Sequence, residues 1–312
     1  FLYDINLLPV KEYAQKLVNQ GMILGSSAFI YRKSGTDEYY SKNKIGDFDF
    51  EPIRIDISYV NELNQLDYSV LRKSQKKFSK SKFILENGKF IVTREVEKMS
   101  KSKYNVVNPD EICREYGADT LRMYEMFLGP LEQSKPWNTS GIIGVHSFLK
   151  KFWRLFFSEN DLKITDNKPS VESIKILHKT IKKIHDDINS MSFNTCISNF
   201  MICVNKLTNI NCRERSILEP LTILISPFAP HIAEELWAFL GNSDSITYEK
   251  YPIHDDAFLI ETDKEYPISF NGKMKFTLKL SLELSIEEIK GIIIKDKRTI
   301  SQLKNKTPKK II

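Results

Sequence analysis

The chain has 312 residues and a mass of 36.3 kDa, room for about two domains at roughly 150 residues each. Hydrophobic residues make up 41% and charged residues 28%, which excludes a disordered chain, a collagen-like fibre and a disulfide-stapled miniprotein. Forty-six basic against forty acidic side chains leave a net +6, which permits an anionic partner without demanding one.

In chain order, residues 1–30 combine a short helical pattern from Val10 to Asn19 with an apolar run at Met22, Ile23 and Leu24. From 31 to 95 the chain turns Tyr-, Lys- and Ser-rich, with short candidate strands at Ile53–Ile57 and Phe83–Leu85. Asn87-Gly88 between Phe83-Ile84-Leu85 and Phe90-Ile91-Val92 predicts a hairpin, so this stretch reads as a small inserted β-rich module. Asn108 as N-cap, Pro109 at the first helical position and Glu111 in a capping-box place predict a helix that Gly117 stops. A second helix runs from Asp119 to Gly129-Pro130.

Residues 140–250 read as an all-α bundle. Val145, Phe148, Leu149, Phe152 and Phe156 repeat at three and four, as do Ile174, Leu177, Ile181, Ile184 and Ile188. A third helix carries Phe193, Ile197, Phe200, Val204 and Leu207, and Pro230 opens a fourth with Ile232, Leu236 and Phe239. Residues 260–312 change period. Met274 through Leu284 alternate after an Asn271-Gly272 turn, Ser285 and Glu288 form a capping box before Ile289, Ile292 and Ile293, and a last strand begins at Lys309. This is a β-β-α-β domain whose final strand looks cut.

Cys113, Cys196, Cys203 and Cys212 form no Cys-x-x-Cys pair, so reduced thiols in a cytoplasmic protein are expected, with no zinc or other metal site. Cys196 and Cys203 lie seven apart on a helical pattern and are expected in the core. The most apolar stretch, Ile217–Leu240, carries Glu219, Glu234, Glu235 and three prolines, so no membrane partner is expected. No signal peptide opens the chain, and its start at Phe1 leads us to expect a segment upstream.

The sharpest chemical pattern is Lys98-Met99-Ser100-Lys101-Ser102-Lys103. Three compact cations and two hydroxyls on a loop suit polyphosphate, and a capped helix N-terminus just beyond adds a partial positive field. Lys77-Phe78-Ser79-Lys80-Ser81 has nearly the same spacing, so spacing alone does not decide. The first copy leads into a strand and hairpin and reads as a solvated basic strand. Only the second has a strand–loop–helix setting.

With those residues in view, the chain resembles the bacterial leucyl-tRNA synthetase family of class I aminoacyl-tRNA synthetases. Residues 94–156, REVEKMSKSKYNVVNPDEICREYGADTLRMYEMFLGPLEQSKPWNTSGIIGVHSFLKKFWRLF, match it nearly throughout, and Lys98–Ser102 is then its KMSKS signature. Lys16–Ile23 is similar to the end of the family's nucleotide-binding fold, Ser226–Trp237 to its helical anticodon-binding-type domain, and residues 266–310 to its small C-terminal domain. The resemblance implies the C-terminal portion of a leucine–tRNA ligase in five parts. Residues 1–30 would end a Rossmann-type α/β catalytic domain and 31–95 would be the leucine-specific insert. Residues 96–139 would hold the signature loop and its helices, 140–250 the anticodon-binding-type bundle, and 260–312 a truncated tRNA-binding domain. The leucine assignment rests on the insert and on Asn105–Glu111.

It implies ATP with magnesium as the substrate complex, leucine and tRNA-Leu as the other substrates, and no covalent enzyme intermediate. Lys101 would bind the ATP phosphates as charge develops on pyrophosphate and Lys98 would support it. Met99, Ser100 and Ser102 would complete the ATP loop. Arg72, Lys73, Lys76, Lys77, Lys80 and Lys82 place six cations in eleven residues, either a solvated flexible arm or a tRNA-backbone contact. Lys304, Lys306, Lys309 and Lys310 carry the same two readings.

The family's His-x-Gly-His signature is missing: the histidines are 146, 178, 185, 231 and 254, with no two three apart. The large editing insertion is missing too, and Tyr104 stands where many class I loops carry glycine. His178 and His185 read as solvated rather than metal-binding, and Trp137, Trp153 and Trp237 as packing rather than base-stacking. Two rivals to the ligase reading stay open. One is a non-catalytic tRNA-binding subunit working with a separately encoded N-terminal half; the other is an inactive fragment.

Overall fold

The computed structural model describes residues 1–12, 14–159, 161–260 and 263–303, and it divides into two units, Phe1–Ile253 and His254–Ile312. In the first unit one long strand, β1 (Ile23–Lys33), organises a mixed sheet. Its second half pairs antiparallel with β2 (Glu38–Tyr40) on one side and β3 (Phe50–Ile55) on the other. After α1 (Tyr68–Ser74), β4 (Lys82–Ile84) adds to β2 in parallel. The first half of β1 pairs antiparallel with β5 (Thr93–Lys98).

One face of this sheet is dry. Ala28, Ile30 and Ile55 pack with Leu66, Leu71, Phe78, Phe83, Phe90 and Val92 in a compact core of their own. β1 runs straight through the expected boundary at residues 30 and 31, so the end of the catalytic-type segment and the insert share a sheet.

Two local expectations fail here. The helix expected over Val10–Asn19 is not formed, and Leu7, Val10 and Leu17 are 68%, 52% and 81% exposed. A short amphipathic segment without a surface to cover lacks the packing that stabilises most helices. Asn87 (φ 48°) and Gly88 (φ 77°) do form the tight turn, closed by Glu86 and Lys89. The flanking runs nevertheless go elsewhere. Ser41 N donates to the Ile84 carbonyl, Ile91 pairs with Gln65, and Phe83 and Phe90 meet edge-on at 5.4 Å inside the core. Buried tertiary partners outweigh the turn.

Next come α2 (Pro109–Tyr116) and α3 (Ala118–Phe127), then β6 (Lys135–Pro136), which joins β1 in parallel. α4 (Thr139–Phe156) leads into the small hairpin of β7 (Phe157–Ser158) and β8 (Asp161–Leu162). α5 (Val171–Asn189), α6 (Phe193–Asn209), α7 (Arg215–Ile225) and α8 (Pro230–Phe239) complete the bundle. The expected apolar stripes form its core except for Phe239 on α8, which is 45% exposed, and Ile112, Met123 and Tyr124 bring α2 and α3 into the same cluster.

α7 was not expected, because Pro220 interrupts its pattern, yet Ile217, Leu218, Leu221, Leu224 and Ile225 are all buried. Cys196, Cys203 and Cys212 are buried too, their thiols pushed by burial up to about 12, 11 and 12. Trp153 stacks on Phe157 at 4.6 Å, Trp137 meets Tyr124 edge-on at 5.2 Å and Trp237 is 4% exposed, so all three tryptophans serve packing.

In the second unit β9 (Asp263–Phe270) and β10 (Lys273–Ser281) form a hairpin through Asn271-Gly272. The alternation is not perfect: a bulge falls between Met274 and Phe276, and Leu282 lies past the strand, 48% exposed. Ser285 and Glu288 make both bonds of the capping box for α9 (Ile286–Lys295), and α10 (Lys297–Leu303) follows. The strand expected from Lys309 lies outside the described residues, as do Lys304, Lys306 and Lys310. No helix among the described residues is long and apolar enough to cross a membrane.

Candidate functional site

The loop begins where β5 ends, against the start of β1. Leu24 pairs with Lys98 and Gly25 with Glu97, so the strand partner under the loop stem has no side chain at the critical place. A Cβ on Gly25 would collide with the Asn105 carbonyl oxygen and lie 2.9 Å from Met99 Cγ. Met99 and the far end of the loop therefore settle onto bare backbone.

Asn105 holds the loop together. It is 1% exposed; its Oδ1 accepts from Ser100 N at 2.9 Å, and its Nδ2 donates to Ser27 Oγ at 3.0 Å and Lys98 O at 3.4 Å. The hydroxyls of Ser100 and Ser102 are 2.9 Å apart, and residues 101–103 make one 3-10 turn. The turn closes at Tyr104, which takes a left-handed conformation (φ 53°, ψ 35°).

The three loop lysines do not share one environment. Lys103 Nζ donates to Glu97 Oε2, whereas Lys98 and Lys101 are exposed and in no ion pair among the described residues. Glu97 also accepts from Ser27 Oγ and, at 3.4 Å, from Arg54 Nε on β3. These bonds, Lys103 first, hold its carboxyl down to about 2, so it is ionised throughout the neutral range. The loop thus presents two free cations at its surface and a neutralised third at its base.

The capped helix beyond the loop is α2, with Asn108 Oδ1 accepting from Asp110 N at 3.0 Å. Glu111 does not close a capping box. It accepts instead from the Asn108 side chain, at 3.3 Å. Asp110 and Glu111 in the first turn already offset the helix dipole, which weakens the positive field expected there.

The Lys77–Ser81 copy of the pattern is built differently. Residues 76–78 form a 3-10 turn rather than a strand, Phe78 is 1% exposed in the core, and Ser81 Oγ donates to Asp37 Oδ1 at 2.9 Å. The cation run is likewise no free arm. Arg72 donates to Ser81 O and lies over Phe83 at 5.1 Å, and Lys82 pairs with Glu38 at 2.8 Å. Lys73, Lys76, Lys77 and Lys80 remain exposed.

Ser27, Glu97, Gly25 and Arg54 were not singled out from sequence, and Asn105 was noted only within the Asn105–Glu111 stretch, not for holding the loop. The first four are strand residues, and only the register of β1 against β3 and β5 brings them to one face. Asp119 was likewise missed. Its buried carboxylate accepts from Ile232 N at 2.7 Å and contacts His231 Nδ1 at 2.7 Å, so α3 caps the start of α8. Among the described residues no three His, Cys, Asp or Glu gather into a metal-holding cluster.

Residues 71–135 match the family described as tRNA synthetases class I (I, L, M and V), and 173–312 match the anticodon-binding domain of tRNA ligase. A class I synthetase match and an anticodon-binding-domain match on one chain define a segment of a class I aminoacyl-tRNA synthetase.

The chain belongs to the bacterial leucine–tRNA ligase family. It is 60% identical to the leucine–tRNA ligase of Flavobacterium psychrophilum, 58% to that of Christiangramia forsetii and 50% to that of Cytophaga hutchinsonii, each over 100% of this chain. It spans about a third of those relatives' length, 33%, 32% and 34% respectively. A solved ternary complex, Agrobacterium radiobacter K84 agnB2 LeuRS-tRNA-LeuAMS, is 28% identical with a TM-score of 0.49, covering 69% of this chain and 29% of that one.

Proposed function

We propose that this chain supplies the signature loop and the tRNA-binding helical part of a leucine–tRNA ligase, acting in the cytoplasm on leucine, ATP with magnesium, and tRNA-Leu. A leucine carboxylate oxygen attacks the α-phosphorus of ATP, the bond to pyrophosphate breaks, and the leucyl group then passes from the adenylate to a hydroxyl of the terminal ribose of tRNA, with AMP as the leaving group. The single observation that carries this reading is the loop itself: Lys98 and Lys101 unpaired and exposed on a backbone fixed by Asn105.

With no covalent intermediate, the protein contributes position and charge. Lys101 meets the charge developing on pyrophosphate, Lys98 supports it, and Ser100, Ser102 and Met99 fix the loop's shape. In the five-part layout, 1–30 ends the catalytic fold, 31–95 is the insert, 96–139 the loop and its helices, 140–250 the bundle and 260–312 the small tRNA-binding domain. The antiparallel pairing of β1 with both β3 and β5 supports insert and loop stem working as one piece. Lys73, Lys76 and Lys77 form the exposed part of a tRNA-backbone contact, with Lys304, Lys306, Lys309 and Lys310 as a second; Arg72 is tied inward.

The test is leucine-dependent ATP–pyrophosphate exchange by this chain alone and after mixing with the part of the enzyme that carries His-x-Gly-His. Activity only on mixing is the expected result. Silence in both, from folded protein, would leave a tRNA-binding piece and overturn the catalytic assignment.

A further inference from the structure

The loop has three lysines, and a ligand-binding role for all three would demand that none be spoken for. One is. Lys103 Nζ is bonded to Glu97, whose side chain is 19% exposed and lies on the polar face of the sheet with Ser27 and Arg54. That face follows from register. Ser27 pairs with Glu95 and Gly25 with Glu97, so Glu97 stands diagonal to Ser27, while Arg54 arrives from β3 opposite Phe29, stacking on its ring at 4.9 Å.

A chain of hydrogen bonds then runs from the middle of the loop to its far end. Ser100 N donates to Asn105, Asn105 to Ser27, Ser27 to Glu97, and Lys103 closes the circuit onto the same carboxylate. The loop is thus held at Ser100 and at Lys103, with Lys101 between the two fixed points. The insert is tied in twice: Arg54 bonds Glu97 at 3.4 Å, and Ile57 N donates to Tyr104 O at 3.2 Å.

We propose that Glu97 is the positioning residue of the signature loop, withdrawing Lys103 from ligand binding and, through Arg54, making the loop's shape depend on the inserted module. This deepens the ligase reading and rests on it for its catalytic consequence. Glu97 touches no substrate. It fixes which lysines do. Its carboxyl, held well below the ordinary range, keeps that arrangement constant across neutral pH.

Two measurements test it. In the chain itself, brief acetylation with an N-hydroxysuccinimide ester, read by mass spectrometry, modifies Lys98 and Lys101 faster than Lys103, and in Glu97→Gln Lys103 rises to match them. Equal rates in the unaltered chain overturn the proposal without reference to any activity. In the complete leucine–tRNA ligase carrying this chain, Glu97→Gln lowers kcat for ATP–pyrophosphate exchange by about tenfold to a hundredfold, the scale of a loop displaced by an ångström or so. KM for ATP rises, while KM for leucine stays put.

Adding Lys103→Met to Glu97→Gln restores part of the loss, because no freed cation then competes for phosphate. Lys103→Arg retains activity by keeping the ion pair. An active enzyme in which Glu97→Gln changes nothing, or shifts leucine and ATP alike, overturns this inference only. An inactive unaltered enzyme overturns the ligase reading and with it the catalytic part of the proposal.

Discussion

Two loops in this molecule share a Lys-x-Ser-Lys-Ser pattern, 21 residues apart, and they are put to opposite uses. In Lys77–Ser81 the second residue is phenylalanine, buried against Tyr39 at 5.3 Å, and Ser81 turns inward to Asp37. In Lys98–Ser102 the second residue is methionine, half-buried over a glycine, the two serine hydroxyls bond to each other, and Ser100 N donates to Asn105. The first copy anchors itself through its own side chains and becomes part of a core. The second is anchored by residues outside the pattern, which leaves Lys98 and Lys101 free. Anchorage, rather than spacing, separates the proposed phosphate loop from a turn.

The largest effects test that difference directly. Phe78→Ala should destabilise the chain by about 3–5 kcal/mol, as truncation of a fully buried aromatic does, measured by urea unfolding. Met99→Ala, at a half-buried position, should cost clearly less; equal costs would mean both loops are core elements. In the complete enzyme, Lys101→Ala should lower the exchange rate by about 10²–10³, roughly 3–4 kcal/mol, the scale of removing one preorganised charge partner. Lys80→Ala, exposed on the other loop, should leave the rate unchanged and stability within about 0.5 kcal/mol. Similar losses from the two lysines would erase the distinction.

Much of the fold that surrounds these loops was legible in sequence because it is periodic. The stripes of α4, α5 and α6 became the bundle core, and Ser285 with Glu288 formed both bonds of its capping box. What stayed hidden was long-range. Val10–Asn19 has a helical pattern but no surface to cover among the described residues, and Asn87-Gly88 makes its turn while the runs on either side join other partners. At the site, Lys98–Ser102 could be read from the motif. The residues that fix it could not, because Ser27 and Arg54 are 71 and 44 positions from Lys98 and meet it only through strand register.

Acid separates the loops by a smaller effect. Glu97 has a folded pKa of about 2, below the ordinary value of 4.5 that applies to the unfolded chain. A depressed carboxyl contributes stability that is fully present above the unfolded value and is lost as pH falls through the folded one. The tie from Glu97 to Lys103 and Arg54 should therefore persist at pH 5 and weaken between about pH 4.5 and 2. A carboxyl-carbon NMR titration of Glu97 checks this; a midpoint near 4.5 would mean that the ion pair with Lys103 is absent in solution.

The smallest effect concerns the residue that closes the loop. Tyr104 has φ 53°, a region in which an L side chain costs about 1–2 kcal/mol relative to glycine. Tyr104→Gly removes that strain but frees the unfolded backbone, which offsets about 0.5–1 kcal/mol of the gain. The side chain is 52% exposed, so little packing is lost. Stability should rise by no more than about 1 kcal/mol, a shift of a few degrees at most in melting temperature. At the matching place after the other loop stands Phe83, a buried strand residue stacked with Tyr39 at 5.4 Å, and there the same change to glycine must destabilise. Opposite signs at two positions of equal spacing follow from left-handed backbone at one and a core strand at the other. A loss of stability in Tyr104→Gly would mean that the Tyr104 ring contributes more to the loop than its exposure implies.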